Sequence, residues 1–481
     1  MNQTKQKTND TKIPGCVRRL SNGERFWLWS PAANVVVAAR IMGDVSEKGL
    51  MMAINAVRRM HPLLGAKVIF DDHHDAWLST DKVPDTVLRT VPRISETQWF
   101  EEIRHENRIP FEPEIGPMIR LVLVYSPQVS ELVIFASHSI CDGDALAILI
   151  RDILVCYANP AKEVQVLQPP NLEDCLPKER FSLPGLIAKT FINHYNRQWR
   201  NRPYYFTQMD FNEIHKAYCD RTRYNIALIQ LEPEETSVLA AKCRENGVTI
   251  TSASTAAFLA AYRDILGPFP KDKRVIWVAY DLRRHLQKNI GDVFGLFAGA
   301  IQFKFDYKQN KSLWKNAKKL HGIIRKDMES NRAVGREISL LDQTLIDAFN
   351  FVFSMQLVPE ASERTKNLSA FVHDTKNAAL RLSQKIISGL PGTIITNLGR
   401  LNYPDIYGNL RLDRMFFIVG SSGFTPLILG GVGLNGKLVF SLNYVEEVGN
   451  EGSQLDRDMI RIRNRALELL GFPEKANDRA M

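Results

Sequence analysis

The stretch FASHSICDG, residues 135–143, carries the strongest signal for fold and chemistry and stands between two apolar runs. The run before it, ELVIFAS at 131–137, predicts a strand. The run after it, GDALAILIRDILVCY at 143–157, predicts a buried helix. His138 therefore lies at the mouth of a short strand-to-helix loop, where an imidazole can act as a general base near neutral pH.

The end of this loop holds two more informative residues. Asp142 either caps the start of the helix or pairs with an arginine and holds the loop in shape. Gly143 permits a backbone angle or a close approach that a side chain would forbid. Cys141 lies close to His138, but no third orienting group is evident nearby, so we interpret it as a core residue rather than a nucleophile.

Strands and helices alternate on both sides of this loop, and six prolines between 158 and 204 mark a lobe boundary. We predict an α/β fold of two lobes, each a mixed sheet with helices, meeting at an interface. The predicted division is a disordered tail at 1–18, an N-terminal lobe at 19–160, a linker or crossover at 161–222 and a C-terminal lobe at 223–481. The other predicted strands are 34–41, 66–70, 76–79, 119–125, 223–230, 275–280, 300–305 and 393–396, with two around Asn435-Gly436, and the other clear helices are 46–60 and 251–266.

The composition of the 481 residues, 45% hydrophobic and 24% charged, excludes a disordered or fibrous chain. The net charge of +9 suits an anionic partner such as a phosphate-bearing cofactor, an acidic carrier protein or a membrane surface, and a solvated basic surface explains it equally well. Six scattered cysteines without a C-x-x-C pair argue against a zinc site and a disulfide framework, so we expect a cytoplasmic protein. Glycines interrupt the apolar stretch 415–434, which predicts strand–turn–strand and no transmembrane segment.

Taken together, several motifs resemble the chloramphenicol acetyltransferase-like superfamily of acyltransferases. The superfamily includes the condensation domains of nonribosomal peptide synthetases, alcohol acetyltransferases, plant BAHD acyltransferases and polyketide-associated acyltransferases. HSICDG (138–143) resembles its H-x-x-x-D-G motif. Four further matches follow the family's order between about residues 20 and 450: RRMHPLL (58–64), PFEPEIGPMIR (110–120), YDLRR with NIGDVF (280–284 and 289–294), and TNLG (396–399).

The resemblance implies two chloramphenicol acetyltransferase-like lobes with an active-site tunnel at their interface, and direct transfer from a thioester without an acyl-enzyme. It implies that His138 takes the proton from the attacking hydroxyl or amine. It implies that Asp142 is structural and pairs with Arg283, next to Gly143. Thr396 and Asn397 match the positions near the developing oxyanion.

The chain also departs from these families. Peptide-synthetase condensation domains usually carry two adjacent histidines, and here Ser137 replaces the first, which favours a stand-alone ester- or amide-forming enzyme. The plant DFGWG signature is missing, and GSSGFTP (420–426) occupies that region. No adenylation or carrier domain is expected, because the two lobes account for the 481 residues.

Three other segments suggest weaker alternatives. DDHHD (71–75) is typical of a solvated hairpin turn, with metal binding as the alternative. The basic and aromatic stretch 194–205 fits an exposed linker helix, a contact to a CoA phosphate or acidic carrier or, less well, single-stranded nucleic acid. The basic residues between 315 and 326 indicate a solvated helix face.

We therefore predict an acyltransferase that moves an acyl group from a CoA or carrier-protein thioester to a small-molecule alcohol or amine. No bound cofactor, metal site or nucleic-acid partner is expected. The alternatives are a stand-alone condensation domain of the peptide-synthetase type and a non-catalytic two-lobed binding protein of the same fold. The first is weakened by Ser137, and the second by the retained His138, Asp142 and Gly143.

Overall fold

The computed structural model describes residues 13–176, 183–286, 288–329, 336–387, 389–421, 423–450 and 452–477. The strands, in chain order, are β1 (Cys16–Arg19), β2 (Asn34–Met42), β3 (Lys67–Phe70), β4 (Ala76–Ser79), β5 (Leu88–Pro92), β6 (Ile119–Tyr125), β7 (Val129–Ser137), β8 (Thr222–Leu231), β9 (Val275–Asp281), β10 (Ala298–Lys304), β11 (Thr393–Leu401), β12 (Ile406–Tyr407), β13 (Leu410–Val419), β14 (Leu427–Leu434) and β15 (Lys437–Glu447). The helices are α1 (Asn22–Leu28), α2 (Glu47–Met60), α3 (Gln98–Asn107), α4 (Gly143–Ala158), α5 (Leu172–Cys175), α6 (Leu183–Arg200), α7 (Gln208–Arg221), α8 (Pro233–Glu245), α9 (Ile250–Leu266), α10 (Leu313–Glu329), α11 (Gln343–Leu357), α12 (Lys366–Val372), α13 (Ala378–Ile387) and α14 (Gln454–Leu470).

Two mixed sheets organise the described residues. The first has the strand order β12-β13-β2-β7-β6-β5, and the second has the order β10-β9-β11-β14-β15-β8. A small third sheet has the order β1-β4-β3. The predicted α/β fold of two lobes, each with a sheet and helices, is confirmed.

The local sequence signals explain why these elements form. The central strand β7 is buried along nearly its whole length between β2 and β6, which suits its continuous apolar run. Ser46 caps α2 by accepting a hydrogen bond from the Gly49 amide at 3.2 Å, as its position in the sequence predicts. In the second lobe, α9 packs against α10 and α14 over the sheet through its many alanines.

The apolar stretch 415–434 does form two strands, but they belong to different sheets. β13 pairs antiparallel with β2 in the first sheet, whereas β14 pairs with β11 and β15 in the second. Because β13 is buried from Met415 to Ile418, its side chains are shared between both lobes. The predicted C-terminal lobe, 223–481, therefore contributes strands to the sheet of the other lobe, and the lobe boundaries stay predictions.

The predicted disordered tail, residues 1–18, is wrong for its last residues. Residues 1–12 lie outside the described part of the chain, but Cys16–Arg19 forms β1. Pairing to the open edge of the β3–β4 hairpin satisfies backbone groups of this segment and so orders it. Among the helices described here, none combines the length with the apolar character needed to cross a bilayer.

Candidate active site

The loop 138–142 joins β7, in the middle of the first sheet, to the start of α4. Its first residue is held in place because the His138 backbone N–H donates to the Ala33 carbonyl oxygen at 3.1 Å. Its last residue, Asp142, caps α4 by accepting from the Ala145 backbone N–H at 2.7 Å. The predicted strand–loop–helix arrangement around His138 is therefore present.

The His138 ring has a defined orientation. Its Nδ1 lies 2.7 Å from the Cys141 carbonyl oxygen, so in the neutral ring Nδ1–H donates and the lone pair is on Nε2. Within the described residues Nε2 has no hydrogen-bond partner, and the side chain is partly exposed. This tautomer presents Nε2 as a proton acceptor.

The surroundings also keep the His138 ring neutral. Burial lowers the pKa of His138 below its usual range, while the hydrogen bond to Cys141 and the charge of Asp142 oppose that shift. The net direction is downward, so the ring is uncharged at neutral pH. A neutral imidazole with a free Nε2 can accept a proton from a hydroxyl or an amine.

The carboxylate of Asp142 is buried and fully engaged with protein groups. It lies 3.1 Å from a guanidinium nitrogen of Arg283 and accepts from the Phe297 backbone N–H at 2.7 Å, in addition to capping α4. The two options that the sequence left open, a helix cap and an arginine pair, are therefore both used. The contact expected between Asp142 and Arg283, 141 residues apart in sequence, is present.

Arg283 ties this loop to the second lobe. Its guanidinium also lies 3.1 Å from Asp281 and 3.2 Å from the Gly295 carbonyl oxygen, and its charge stands over the Phe297 ring at 4.8 Å. Although burial disfavours the charged form, the carboxylates of Asp142 and Asp281 raise the pKa of Arg283. The pair is a charged contact between the start of α4 and the segment that follows β9.

Gly143 allows a close approach between α4 and two other elements. A Cβ at this position would lie 2.5 Å from Phe417 Cε2 on β13 and 2.8 Å from Leu398 Cδ2 on β11. Both neighbours are side chains packed in the interface between the sheets, with little room to move. Of the two roles that the sequence left open for Gly143, the structure shows the close approach.

Thr396 and Asn397 lie on β11, next to the residue that reaches Gly143. The Asn397 amide donates to Thr251 Oγ1 at 3.1 Å and its oxygen accepts from the Gly399 backbone N–H at 2.8 Å. In the described part of the chain neither side chain hydrogen-bonds to His138. The structure therefore brings this strand end close to the start of α4 but leaves the two roles as predictions.

One residue in direct contact with His138 was missed from the sequence. The Trp27 indole of α1 stacks on the imidazole, with the ring centroids 4.6 Å apart and the planes 21° from parallel. A separation of 111 residues hides this contact from any local pattern. The aromatic run FWLW, 26–29, was the available signal, because partly exposed tryptophans are frequent in binding sites.

A second missed residue, Asp144, lies in the first turn of α4. Burial raises the pKa of Asp144 to about 7, and the nearby charges of Asp142 and Asp281 act in the same direction. The sequence shows Asp144 only as one acidic residue at a helix start. Its environment depends on a carboxylate from β9, which no local pattern reveals.

The weaker candidates have structural roles. Burial raises the pKa of Cys141 well above its usual range, which disfavours the thiolate that a nucleophile needs. Asp71 accepts from the Trp77 indole N–H at 2.9 Å and organises the β3–β4 turn. The search of the described residues finds no group of three His, Cys, Asp or Glu side chains able to hold a metal ion.

The basic and aromatic stretch 194–205 is partly used inside the protein. Trp199 is buried and its indole N–H donates to Thr344 Oγ1 at 2.8 Å, and Arg200 pairs with Asp342 at 2.8 Å. These contacts attach α6 to α11 rather than leaving it as an exposed linker helix. The lysines of α10 at 315, 318, 319 and 326 are exposed, as expected for a solvated face.

Comparisons with known proteins agree with this architecture. The family described as phthiocerol/phthiodiolone dimycocerosyl transferase C-terminus matches residues 220–345. A linear gramicidin synthase protein from Brevibacillus parabrevis is 25% identical over 156 residues, which is 29% of this chain. The matched region is 3% of that much longer relative.

Three solved structures share the fold over nearly the whole chain. Trichothecene 15-O-acetyltransferase from Fusarium sporotrichioides has a TM-score of 0.63 at 13% identity, covering 95% of both chains. The first condensation domain of the CDA synthetase has a TM-score of 0.60 at 13% identity, covering 97% of this chain and 100% of that one. Polyketide synthase associated protein 5 from Mycobacterium tuberculosis has a TM-score of 0.58 at 14% identity, covering 95% and 99%.

The chain therefore has the two-lobed fold of the chloramphenicol acetyltransferase-like condensation and acyltransferase superfamily. The resemblance noted in the sequence is confirmed at the level of this fold. What the relatives act on is a matter for the proposal that follows.

Proposed function

We propose that the protein is an acyltransferase that moves an acyl group from a thioester to an alcohol or amine, with His138 as the general base. The observation that carries the proposal is the His138 geometry: Nδ1 is bound to a carbonyl, Nε2 is free of partners among the described residues, and burial favours the neutral ring. Similarity in fold to an acetyltransferase and a condensation domain supports the same class of reaction.

The reaction needs two proton transfers at one nitrogen. Nε2 accepts the proton as the acceptor oxygen or nitrogen attacks the thioester carbonyl carbon and forms the new C–O or C–N bond. The C–S bond then breaks, and Nε2–H returns the proton to the departing sulfur. His138 ends in its starting state, so no acyl-enzyme, metal or redox cofactor is needed.

The buried pair of Asp142 and Arg283 supports this role indirectly. Asp142 binds Arg283 and two backbone N–H groups, so its carboxylate fixes the loop end and takes no proton in the reaction. In our proposal Thr396 and Asn397 stabilise the negative charge on the thioester oxygen from the facing strand end. Their expected share is modest, since one Asn397 amide hydrogen already points to Thr251.

The proposed donor is acyl-CoA, with an acyl carrier protein as the alternative. Both present a thioester on a phosphate-bearing pantetheine arm, which an elongated tunnel between two lobes would accept. The net charge of +9 attracts either donor, and this attraction weakens as the salt concentration rises. Ser137, in place of the first histidine of condensation domains, favours the free CoA donor.

A stand-alone condensation domain is the second candidate function. The match to a linear gramicidin synthase protein and the similarity to a solved condensation domain favour it. Ser137 speaks against it. The Ser137 hydroxyl lies 2.8 Å from the Ser139 hydroxyl within a buried pair, so it is not available to replace an imidazole.

The test is an acyl-donor panel with acceptor-dependent release of free thiol as the readout. Each acyl group is offered on CoA and on a phosphopantetheinylated carrier protein, at low and moderate salt, with alcohol and amine acceptors. We expect transfer with at least one acyl-CoA, and loss of transfer in His138→Ala but not in His373→Ala, a control at an exposed histidine.

Two results would change the proposal. A carrier-bound donor preferred by a hundredfold or more, about 2.7 kcal/mol in the transition state, would favour the condensation-domain function. Binding of donors without any thiol release, equal in wild type and His138→Ala, would favour a non-catalytic binding protein. We further propose a cytoplasmic location, since all six cysteines are free thiols in the structure.

A further inference from the structure

The Trp27–His138 stack connects the His138 ring to a distant part of the chain. The rings are 4.6 Å apart and nearly parallel, so the face of the indole covers one face of the imidazole. The Phe26 ring meets Trp27 edge-on at 4.9 Å. The imidazole thus lies against an aromatic surface and not against a polar wall.

Trp27 is presented by a short helix whose start is firmly anchored. Ser21 and Glu24 form a capping box at the N-terminus of α1. Arg25, one residue before Phe26, is buried and pairs with Asp347 of α11 through two hydrogen bonds, one of them 2.7 Å long. A buried pair with two-point geometry fixes direction as well as distance. Trp27 is therefore part of a rigid platform.

Two contacts together determine how the imidazole is oriented. The hydrogen bond from Nδ1 to the Cys141 carbonyl fixes the direction of the ring within its plane. The stack on Trp27 fixes the plane itself. Nε2 is then aimed at one point in space, which is what efficient transfer of a proton to and from a bound substrate requires.

The stack also acts on the charge of the ring. The face of an indole carries negative electrostatic potential and attracts a cation, and among aromatic side chains tryptophan does so most strongly. A neutral imidazole gains little from this attraction, whereas the imidazolium formed when Nε2 accepts a proton gains more. The interaction is therefore strongest at the charged stage of the reaction, the condition for lowering a barrier.

We propose that Trp27 is a positioning residue that holds the plane of the His138 ring and stabilises its imidazolium form during acyl transfer. This inference rests on the proposed function of His138. Trp27 acts through His138 and not on the reacting atoms, so its removal lowers turnover by altering both the aim and the basicity of the imidazole.

The charged groups around the ring leave room for this effect. Asp142 is the charged side chain that acts on His138, and it favours the imidazolium, but its own charge is largely neutralised by Arg283. The other charged residues of α1 are bound elsewhere, Glu24 to Arg18 and Arg25 to Asp347. On the exposed side of the loop, the indole face is thus the main additional support for a positive ring.

The test changes the indole electrostatics without changing its shape. The protein is produced with tryptophan, monofluorotryptophan or tetrafluorotryptophan at all seven tryptophan positions, because fluorination withdraws electron density from the ring face. The His138 pKa is measured by NMR on selectively labelled histidine without substrate, and His138→Ala identifies the signal. The same series in Trp27→Phe is the control for the other six positions.

We expect the pKa of His138 to fall stepwise with fluorination, by about 0.5 to 1 unit in total, and to stay constant across the Trp27→Phe series. A shift below about 0.2 unit, or an equal shift in the Trp27→Phe series, overturns the electrostatic role.

Turnover separates this inference from the proposed function. Where acyl transfer occurs, the acid limb of kcat/KM should move to lower pH while the plateau falls. An unchanged plateau with a shifted pKa overturns the catalytic part of the inference. If wild-type protein transfers no acyl group to any acceptor, the proposed function fails, and the NMR titration still decides whether Trp27 stabilises the imidazolium.

Discussion

The carboxylate of Asp142 offers the sharpest test of how the catalytic loop is held. It accepts hydrogen bonds from the Ala145 and Phe297 backbone N–H groups, both at 2.7 Å, and pairs with Arg283 at 3.1 Å. Asp142→Asn keeps the size and one acceptor oxygen, which can still cap α4. It replaces the other oxygen with an amide that faces two donors, so Arg283 loses its main counter-ion.

The structure sets the expected magnitudes. Removing one partner of a buried ion pair costs about 3–5 kcal/mol, because the other charge is left uncompensated. Asp142→Asn should lower the free energy of unfolding by that amount, and Asp142→Ala by about 1 kcal/mol more through loss of the helix cap. Arg283→Gln should cost less, about 2 kcal/mol, because Asp142 keeps its two backbone donors.

The assay is urea unfolding followed by circular dichroism, with acyl transfer measured on the same samples. The double variant Asp142→Asn/Arg283→Gln should cost less than the sum of the singles by about 1–3 kcal/mol. The surface pair Asp264–Arg465, 2.9 Å apart and far more exposed, gives a matched control, and Asp264→Asn should cost less than about 1 kcal/mol. If Asp142→Asn is as mild as this control and shows no coupling to Arg283, the buried pair does not hold the loop.

Two further predictions concern the start of α4. Gly143→Ala should lower stability by about 1–3 kcal/mol and reduce turnover, because the new methyl group would overlap Phe417; Gly322→Ala, where nothing lies within 4 Å, is the control and should be neutral or stabilising in thermal unfolding. Asp144 binds a proton more tightly in the folded protein, since its pKa is raised to about 7, so its stabilising contribution is complete below about pH 4 and is lost as the pH rises through 7. Asp144→Asn should therefore gain stability relative to wild type between pH 5 and 8, by roughly 1–2 kcal/mol in urea titrations, and a pH-independent difference would contradict the raised pKa.

Local patterns were sufficient for many elements of the fold. The strand 119–125 and the strand 76–79 have the bounds that their apolar residues predict, and the helix at 46–60 begins directly after its Ser46 cap. These elements are stabilised by burial of one face or one run, which the sequence displays directly. The apolar stretch 415–434 also formed two strands.

Long-range contacts were not predictable in the same way. That β13 and β14 enter different sheets depends on partners more than 300 residues away in the case of β2. His61, in the RRMHPLL motif, proves to be buried with Nε2 3.0 Å from Asp152 of α4, a structural contact that its motif did not specify. The Asp142–Arg283 contact was foreseen only through the resemblance to a family, whereas the Trp27 stack on His138 had no such guide.

The central claim is that His138 is the general base, and the turnover number of His138→Ala tests it most directly. The variant is compared with wild type under saturating acyl donor and acceptor, after circular dichroism and donor binding have shown an intact fold. A general base contributes about 10²–10⁴-fold in rate, so the turnover number should fall by that factor while donor affinity is unchanged. A well-folded His138→Ala protein that transfers the acyl group within about threefold of the wild-type rate would contradict the account.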